Sequence, residues 1–359
     1  MGTDRTIPAR RRHSDQSPEH HTMTPRPLLQ RLAGLRSAMP RTPISHLPHG
    51  RLDLRAKLEY CNPNGSAKDR SAFWILKNAI ERGEITEATT VVESSSGNFA
   101  LSLASFCRVL GIGFVPVIDP NVNASTESFL RMLCDRVEKV TERDDSGGFL
   151  STRLTRVAQL RSELAEVYWP NQYGNPDALS AHYRLTGEEI CDELSHIDYL
   201  FVGTSTGGTI SGLSIRAKER WPDIRVIAVD AEGSAIFGGE PGVRRLPGLG
   251  SSIRPPLCER ALIDDVVLVP ELAAVRGCHA LLREYGLYAG GSTGSVYAAI
   301  SRYFAGGVGN RPDDHPVVAF LCADRGNAYA DTVYDSSWVS ANFGEGVDLS
   351  AQYPQILPA

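Results

Sequence analysis

The sequence predicts an α/β protein built from two three-layer domains, each with a mostly parallel β-sheet between layers of helices. Three observations support this class. Short runs of β-branched residues alternate with longer helical patterns from about residue 50, which is typical of parallel strands joined by helices. The 359 residues fit two domains of about 100–200 residues each. Small polar residues cluster where predicted strands pass into predicted helices.

The segment before the first of these elements, residues 1–35, is predicted to be a disordered tail. It contains the run Arg10-Arg11-Arg12 and few large apolar residues, and it lacks the apolar stretch of a secretory signal. A weak contact between the arginine run and a polyanion is the alternative role for this segment.

The elements that follow are predicted from hydrophobic periodicity. In the first helix, Ala72, Leu76 and Ile80 recur on one face, and Gly83 supplies a C-terminal stop. Strands are predicted at residues 90–93, 113–118, 137–140, 199–202, 225–229, 266–269 and 317–321. Helices are predicted at residues 70–82, 98–110, 125–133, 149–165, 177–194, 208–220, 271–285 and 293–304.

The composition argues against several classes of protein. The 37 Lys+Arg and 42 Asp+Glu residues give a net charge of −5, which provides no general reason to bind nucleic acid. No apolar run approaches the ~20 residues of a membrane span. The seven cysteines are scattered and contain no CxxC pair, which argues against a disulfide framework or a thiolate metal site. We expect a cytoplasmic protein without a metal.

Four polar segments precede predicted helices and are the candidate functional segments. They are Asn62-Pro63-Asn64-Gly65-Ser66-Ala67-Lys68-Asp69-Arg70, Ser94-Ser95-Ser96-Gly97-Asn98, Gly203-Thr204-Ser205-Thr206-Gly207-Gly208-Thr209 and Gly290-Gly291-Ser292-Thr293-Gly294-Ser295. Lys68, one of only five lysines, stands at a helix start, where the positive end of the helix dipole favours an uncharged, nucleophilic amine. The second and third segments could bind anions through backbone N–H groups. Each segment alone also fits an ordinary capped helix or tight turn.

Together, in this order, the four segments resemble the cysteine synthase and cystathionine β-synthase family over residues 42–330. The resemblance implies the tryptophan synthase β-like fold of fold type II enzymes, the cofactor pyridoxal 5'-phosphate (PLP), amino-acid substrates and a homodimer. It also implies a large PLP-binding domain of residues 36–60 and 173–335, a smaller mobile domain of residues 61–172, and a C-terminal extension of residues 336–359.

The same resemblance implies a role for each segment. Lys68 would form the Schiff base with PLP and act as general base, Asn98 would contact the ring hydroxyl, and Ser292 would contact the pyridine nitrogen. The phosphate would be held by Ser205, Thr206, Gly207, Gly208 and Thr209. The substrate-binding set would be Ser94, Ser95, Ser96 and Gly97, with Gly248 in a turn that borders the cofactor. A neutral serine at the pyridine nitrogen favours β-elimination, so the reaction would pass through an α-aminoacrylate to which a second nucleophile adds.

Two departures from the usual cysteine synthase pattern favour a second nucleophile larger than sulfide. Ser205 stands where glycine is usual, and Tyr173 stands where an aromatic residue without a hydroxyl is usual. With segment 141–153, which contains Arg153, they resemble the branch of N-(2-amino-2-carboxyethyl)-L-glutamate synthases. That branch joins O-phospho-L-serine to L-glutamate and releases phosphate, on the route to L-2,3-diaminopropionate for siderophores or antibiotics.

Arg153 and Tyr173 are therefore the candidate contacts of the second substrate or of the leaving phosphate. Each position also has an ordinary interpretation: Arg153 as a solvated helix arginine, Tyr173 as a core aromatic, and Ser205 as a neutral substitute for glycine. The alternative function is a cysteine synthase that uses sulfide with O-phosphoserine or O-acetylserine.

Overall fold

Ten strands form two β-sheets in the computed structural model, which describes residues 1–2, 27–145, 147–305 and 315–349. The strands are β1 (Ile44–Leu47), β2 (Asp53–Leu58), β3 (Thr90–Ser94), β4 (Gly113–Ile118), β5 (Glu138–Lys139), β6 (Val167–Tyr168), β7 (Tyr199–Gly203), β8 (Arg225–Ala231), β9 (Asp265–Val269) and β10 (Val317–Cys322). The larger sheet has the order β1-β2-β10-β7-β8-β9, and the smaller has the order β5-β4-β3-β6. Every described strand pair is parallel except β1 with β2, so the predicted fold class is confirmed.

Eleven α-helices lie among the described residues. They are α1 (Leu28–Ser37), α2 (Lys68–Glu81), α3 (Asn98–Leu110), α4 (Ala124–Leu133), α5 (Leu150–Glu163), α6 (Pro176–Ala181), α7 (Gly187–Glu193), α8 (Gly208–Arg220), α9 (Glu271–Tyr285), α10 (Gly291–Ala305) and α11 (Ser336–Phe343). No helix in the described ranges is long and apolar enough to cross a membrane.

Helices cover both faces of the larger sheet, because its central strands are apolar on both sides. Phe201 and Ile227 are buried in the core that includes α9 and α10. Their neighbours Leu200 and Val226 face the opposite way and pack with residues of α7 and α8. Such continuous apolar strands are typical of a parallel sheet between two helix layers.

The smaller sheet is covered in the same way. Phe114 packs with α2 and α3 on one face, and Val115 packs with α5 on the other. The four strands of this sheet all lie between residues 90 and 168, inside the segment 61–172 that we predict to be the smaller domain.

Helix α1 corrects the predicted end of the tail. Leu32 and Leu35 are buried in the core of the smaller sheet, although both lie in the segment 1–35 that the composition predicts to be disordered. Burial of two leucines explains why this stretch is helical despite its polar neighbours. The rest of that prediction, residues 3–26, lies outside the described residues. Likewise, the described part of segment 336–359 contains α11, whose Val339 packs into the core of the larger sheet.

Candidate active site

The four polar segments meet in one cavity with an empty volume of about 670 Å³. It lies where the carboxyl ends of β7 and β10 approach the N-termini of α2, α3 and α8, as expected for a ligand site in an open α/β sheet. Eight of the predicted site residues line it: Lys68, Asn98, Ser205, Thr206, Gly207, Thr209, Gly248 and Ser292. The remaining predicted residues are not in this lining: Ser94, Ser95, Ser96, Gly97, Arg153, Tyr173 and Gly208.

Lys68 is the first residue of α2 and faces this cavity. The preceding loop is held by the buried carboxylate of Asp69, which accepts from the Asn64 backbone N–H at 2.7 Å and from Ser102 Oγ at 2.6 Å. Burial lowers the pKa of Lys68 to about 8, and the charge of Asp324 partly opposes this effect. The amine therefore loses its proton much more readily than an ordinary lysine.

The phosphate turn, residues 203–209, joins β7 to the start of α8. Gly207 has φ +88°, and a Cβ there would lie 2.7 Å from the backbone nitrogen of Cys258, so only glycine fits this position. The first N–H groups of α8 lack helical partners and point toward an anion site. The Ser205 hydroxyl, by contrast with these N–H groups, has a partner within the protein: it donates to the Gly250 carbonyl at 3.1 Å.

Asn98, the first residue of α3, is held by a carboxylate that our sequence analysis missed. Asn98 Nδ2 donates to Asp324 Oδ2 at 2.7 Å, and the Tyr329 hydroxyl donates to the same oxygen at 3.0 Å. Burial raises the pKa of Asp324 to about 6, and its Oδ1 has no hydrogen-bond partner among the described residues. Asp324 lies two residues beyond the end of β10 and lines the cavity, so it belongs to the site.

Ser292 and Gly248 lie side by side in the cavity lining. Gly248 has φ +93°, and a Cβ there would lie 3.8 Å from Ser292 Cβ and 3.3 Å from the Tyr329 hydroxyl. The glycine thus lets the 247–250 turn approach the start of α10.

The serine loop, residues 94–97, caps α3. Ser95 Oγ accepts from the backbone N–H of Ala100 at 3.3 Å, and Ser96 Oγ donates to Asp119 Oδ2 at 3.0 Å. Ser94 Oγ is buried and has no partner among the described residues. Two of the three serines therefore shape the loop. The backbone N–H groups of Ser94 and Ser95 also donate within the protein, to Glu93 and to the Val117 carbonyl, so the N–H groups of Ser96 and Asn98 are the candidate anion donors.

Arg153 reaches this loop from α5. Its Nη1 lies 3.0 Å from Ser96 Oγ and 3.1 Å from Asp119 Oδ2. Asp119 follows β4 directly and was also missed by our sequence analysis. Arg153 Nε is buried and has no hydrogen-bond partner among the described residues.

Tyr173 lies near both Arg153 and the phosphate turn. Burial raises the pKa of its hydroxyl, while the charge of Arg153 and a hydrogen bond with Ser251 oppose the rise. Ser251 follows Gly250, whose carbonyl accepts from Ser205. Arg153 and Tyr173 are thus linked to each other and, through residues 250–251, to Ser205, although only Ser205 lines the cavity.

The sequence profile of the family described as pyridoxal-phosphate dependent enzymes matches residues 35–323. The chain belongs to this family. The predicted family resemblance is confirmed, and the cofactor of this enzyme is pyridoxal 5'-phosphate.

Two relatives that are named N-(2-amino-2-carboxyethyl)-L-glutamate synthase match most of this PLP-dependent enzyme. The protein of Ralstonia nicotianae is 42% identical over 321 residues, which cover 88% of this chain and 94% of the relative. The protein of Cupriavidus metallidurans is 41% identical over 305 residues, which cover 83% of this chain and 89% of the relative.

Solved structures show the same fold. The O-acetylserine dependent cystathionine β-synthase of Helicobacter pylori has a TM-score of 0.75 and 27% identity, and the match covers 83% of this chain and 97% of that chain. A hydrogen sulfide-producing enzyme of Fusobacterium nucleatum has a TM-score of 0.75 and 26% identity, with 82% and 98% coverage.

The donors of the cavity fit PLP. Backbone N–H groups and threonine hydroxyls of the phosphate turn suit a phosphate, and Lys68 supplies an amine for the aldehyde carbon. Ser292 offers a neutral hydroxyl to a ring nitrogen. The apolar walls that would face a flat ring are Val202, Val296 and Leu321.

One further buried acid connects the serine loop to the Tyr173 segment of this PLP-dependent enzyme. Glu93 accepts from the Ser94 backbone N–H at 2.7 Å, and from Trp169 Nε1 and the Gln172 backbone N–H at 3.3 Å each. Burial raises the pKa of Glu93 to about 7. Its position at the end of β3 was the available sequence signal, but we assigned that residue only to the strand.

Proposed function

We propose that this enzyme joins O-phospho-L-serine to L-glutamate and forms N-(2-amino-2-carboxyethyl)-L-glutamate and phosphate. The observation that supports this most directly is the link from Arg153, which reaches the serine loop, to Tyr173 and on to Ser205 in the cavity lining. The names of the two relatives that are 42% and 41% identical support the same reaction.

The chain's own residues account for the first half of the reaction. Bound PLP withdraws electrons from the α-carbon of an amino acid and so acidifies its α-proton. Lys68 removes that proton, and its pKa of about 8 gives it a useful neutral fraction near neutral pH. The backbone N–H groups of Ser96 and Asn98 would hold the α-carboxylate at the start of α3.

A charged second substrate explains the polar side of the cavity better than sulfide does. L-Glutamate brings two carboxylates, which need donors, whereas sulfide needs none. Arg153 has an unpaired buried Nε, and its planar guanidinium suits a carboxylate or the leaving phosphate. The hydroxyls of Tyr173 and Ser205, which bond to Ser251 and to the Gly250 carbonyl, are the two further groups that we assign to the glutamate side.

The biological setting that we propose follows from the product. N-(2-amino-2-carboxyethyl)-L-glutamate would be converted to L-2,3-diaminopropionate for a siderophore or an antibiotic. We further propose that the enzyme acts in the cytoplasm as a homodimer.

A competition experiment tests the reaction. Purified holoenzyme receives O-phospho-L-serine with equal concentrations of L-glutamate and sulfide, and mass spectrometry identifies the product. We expect the glutamate adduct to dominate and Lys68→Ala to give no product. Cysteine as the dominant product would establish the cysteine synthase alternative.

Two substitutions sharpen this experiment because they restore residues that are usual in cysteine synthases. Tyr173→Phe and Ser205→Gly each remove one hydroxyl from the proposed glutamate side. Each should lower kcat/KM for L-glutamate by about tenfold, the value of one hydrogen bond to a charged group. For Tyr173→Phe the rate of phosphate release in the absence of a nucleophile should change little, which separates glutamate binding from the first half-reaction. Because Ser205 lines the cofactor cavity, its variant is compared with the unaltered enzyme at equal PLP occupancy.

A further inference from the structure

A buried histidine lies directly behind the phosphate turn. His182 is 1% exposed, and its Nε2 lies 3.2 Å from Thr209 Oγ1, while its Nδ1 lies 3.1 Å from Thr186 Oγ1. Thr209 lines the cavity, whereas His182 and Thr186 do not. His182 therefore touches a residue of the cofactor site without belonging to its surface.

The backbone explains this close approach. A single π-helical turn, His182–Thr186, joins α6 to α7, and such turns often occur at functional sites. Helix α8 packs tightly against it, because a Cβ on Gly212 would lie 2.9 Å from His182 Cβ and 2.7 Å from the Tyr183 backbone nitrogen. Only glycine at position 212 permits this packing, which brings the imidazole to Thr209.

His182 is neutral at physiological pH. Burial lowers its pKa to about 3, and the positive charges of Lys68 and Arg70 act in the same direction. A neutral imidazole has one N–H donor and one acceptor nitrogen. The Thr186 hydroxyl contacts one of these two nitrogens and the Thr209 hydroxyl contacts the other.

The hydroxyl and imidazole hydrogens available here fix the direction of both hydrogen bonds of His182 when Thr209 donates to the phosphate. Thr209 has one hydroxyl hydrogen, and the ionised phosphate of PLP offers acceptor oxygens. A Thr209 hydroxyl that donates to the phosphate must itself accept from His182, so the imidazole hydrogen is on Nε2. His182 Nδ1 then accepts from the Thr186 hydroxyl.

We infer that His182 is a positioning residue whose neutral Nε2–H tautomer turns the Thr209 hydroxyl hydrogen toward the cofactor phosphate. The inference rests on the placement of the phosphate at residues 203–209 and is independent of the identity of the second substrate. It gives the buried imidazole a role in cofactor binding rather than in proton transfer.

Nitrogen-15 NMR of the holoenzyme labelled with 15N-histidine tests the tautomer without any substitution. We expect a protonated Nε2 and an unprotonated Nδ1 for His182, with the signals assigned by their loss in His182→Gln. His279 is the internal reference, because its Nε2 lies 2.9 Å from the Val333 carbonyl oxygen, which can only accept. A protonated Nδ1 on His182 overturns the inference.

A double-mutant cycle on cofactor affinity provides the second test. His182→Leu and Thr209→Val should each weaken PLP binding by roughly tenfold, since the first lets the Thr209 hydroxyl turn away from the phosphate and the second removes that hydroxyl. The double variant should lose little more than either single variant. His182→Gln, which retains an N–H donor, should recover most of the affinity, and the control His279→Leu should keep it unchanged.

The outcomes distinguish a positioning role of His182 from a role in packing alone. Losses that add in the double variant would show that His182 acts only through packing, and would refute the positioning role. An unchanged affinity in Thr209→Val would instead show that the phosphate is not held at this hydroxyl, which also overturns the inference. Thermal unfolding of each variant identifies any loss that is due to misfolding.

Discussion

At the scale of single residues, Asp324 adjusts the reactive amine of Lys68. Burial pulls the pKa of Lys68 down to about 8, while the negative charge of Asp324 pulls it up. Asp324 itself is held by Asn98 and Tyr329, so its distance from the amine is fixed. The balance between burial and one carboxylate thus sets how much neutral amine is present.

We predict that Asp324→Asn lowers the pKa of Lys68 below its value of about 8. Loss of the negative charge destabilises the ammonium form, so the proton leaves at lower pH. Asparagine retains an oxygen that accepts from Asn98, which preserves the local geometry. The measurement is the pH dependence of trapping of Lys68 by pyridoxal and borohydride in the apoenzyme, followed by mass spectrometry.

Asp230→Asn is the matched control for this prediction. Asp230 is also buried with a pKa raised to about 6, but the charges that act on it include Arg244 and not Lys68. Its substitution should leave the trapping profile of Lys68 unchanged. A profile that shifts to higher pH in Asp324→Asn, or shifts equally in both variants, contradicts the prediction.

The sequence identified the residues of the site that are distinctive by type and order, and it missed those that are not. Lys68, Asn98 and Ser292 stand in glycine- and serine-rich segments and could be assigned by resemblance. Asp119 and Asp324 are common acids whose importance arises from partners 34 and 226 residues away in sequence, Arg153 and Asn98. Their place just beyond strand ends was the available signal.

At the scale of elements, helix α2 is fixed by a buried ionic network. Arg70 Nη2 lies 2.8 Å from Glu189 Oε2 of α7, and Arg70 Nε lies 3.2 Å from Glu59 Oε2, just after β2. Lys57 of β2 pairs with the same Glu189 oxygen at 2.8 Å. Because α2 begins at Lys68, this network also fixes where the reactive amine stands.

Strand β2 is missing from our predicted strands although its alternating pattern was available; only the burial of its lysine depends on the network. Its apolar residues alternate with Asp53, Arg55 and Lys57, which is the pattern of a strand with one solvated face. Lys57 is nevertheless buried, because Glu189 neutralises it from a helix distant in sequence. A pairing between remote residues cannot be inferred from local periodicity.

We predict that Arg70→Ala destabilises the protein by about 3–5 kcal/mol, because it leaves the buried Glu59 carboxylate without its cationic partner. Chemical denaturation measures the change. The control is Arg41→Ala, which removes exposed ion pairs with Asp192 and Glu193 and should cost within about 1 kcal/mol. Equal effects of the two substitutions would show that the network contributes nothing beyond surface charge.

At the scale of the whole molecule, the sequence predicted the layers but not the order of the strands. Alternating strands and helices require parallel sheets, yet they do not say which strands are neighbours. The last strand, β10, lies between β2 and β7, so the larger sheet joins the two ends of the described chain. This strand order brings Asp324 within hydrogen-bond distance of Asn98, the first residue of α3, which packs on the smaller sheet.

The N-terminal region provides a test at this scale. Helix α1 buries Leu32 and Leu35 against the smaller sheet, while the composition of residues 1–26 still predicts a dispensable tail. A chain that begins at Pro27 should therefore match the full chain in stability and activity. A chain that begins at Met39 should lose roughly 3 kcal/mol or more of stability, since burial of a leucine contributes about 1.5–3 kcal/mol.

Removal of α1 should also affect the active site, because the serine loop follows β3 of the smaller sheet. We expect the Met39 chain to show a raised KM for O-phospho-L-serine together with its lower denaturation midpoint. Leu32→Ala in the full chain is the milder companion and should shift both quantities in the same direction. Equal midpoints for the Met39 and Pro27 chains would mean that α1 rests on the smaller sheet without stabilising it.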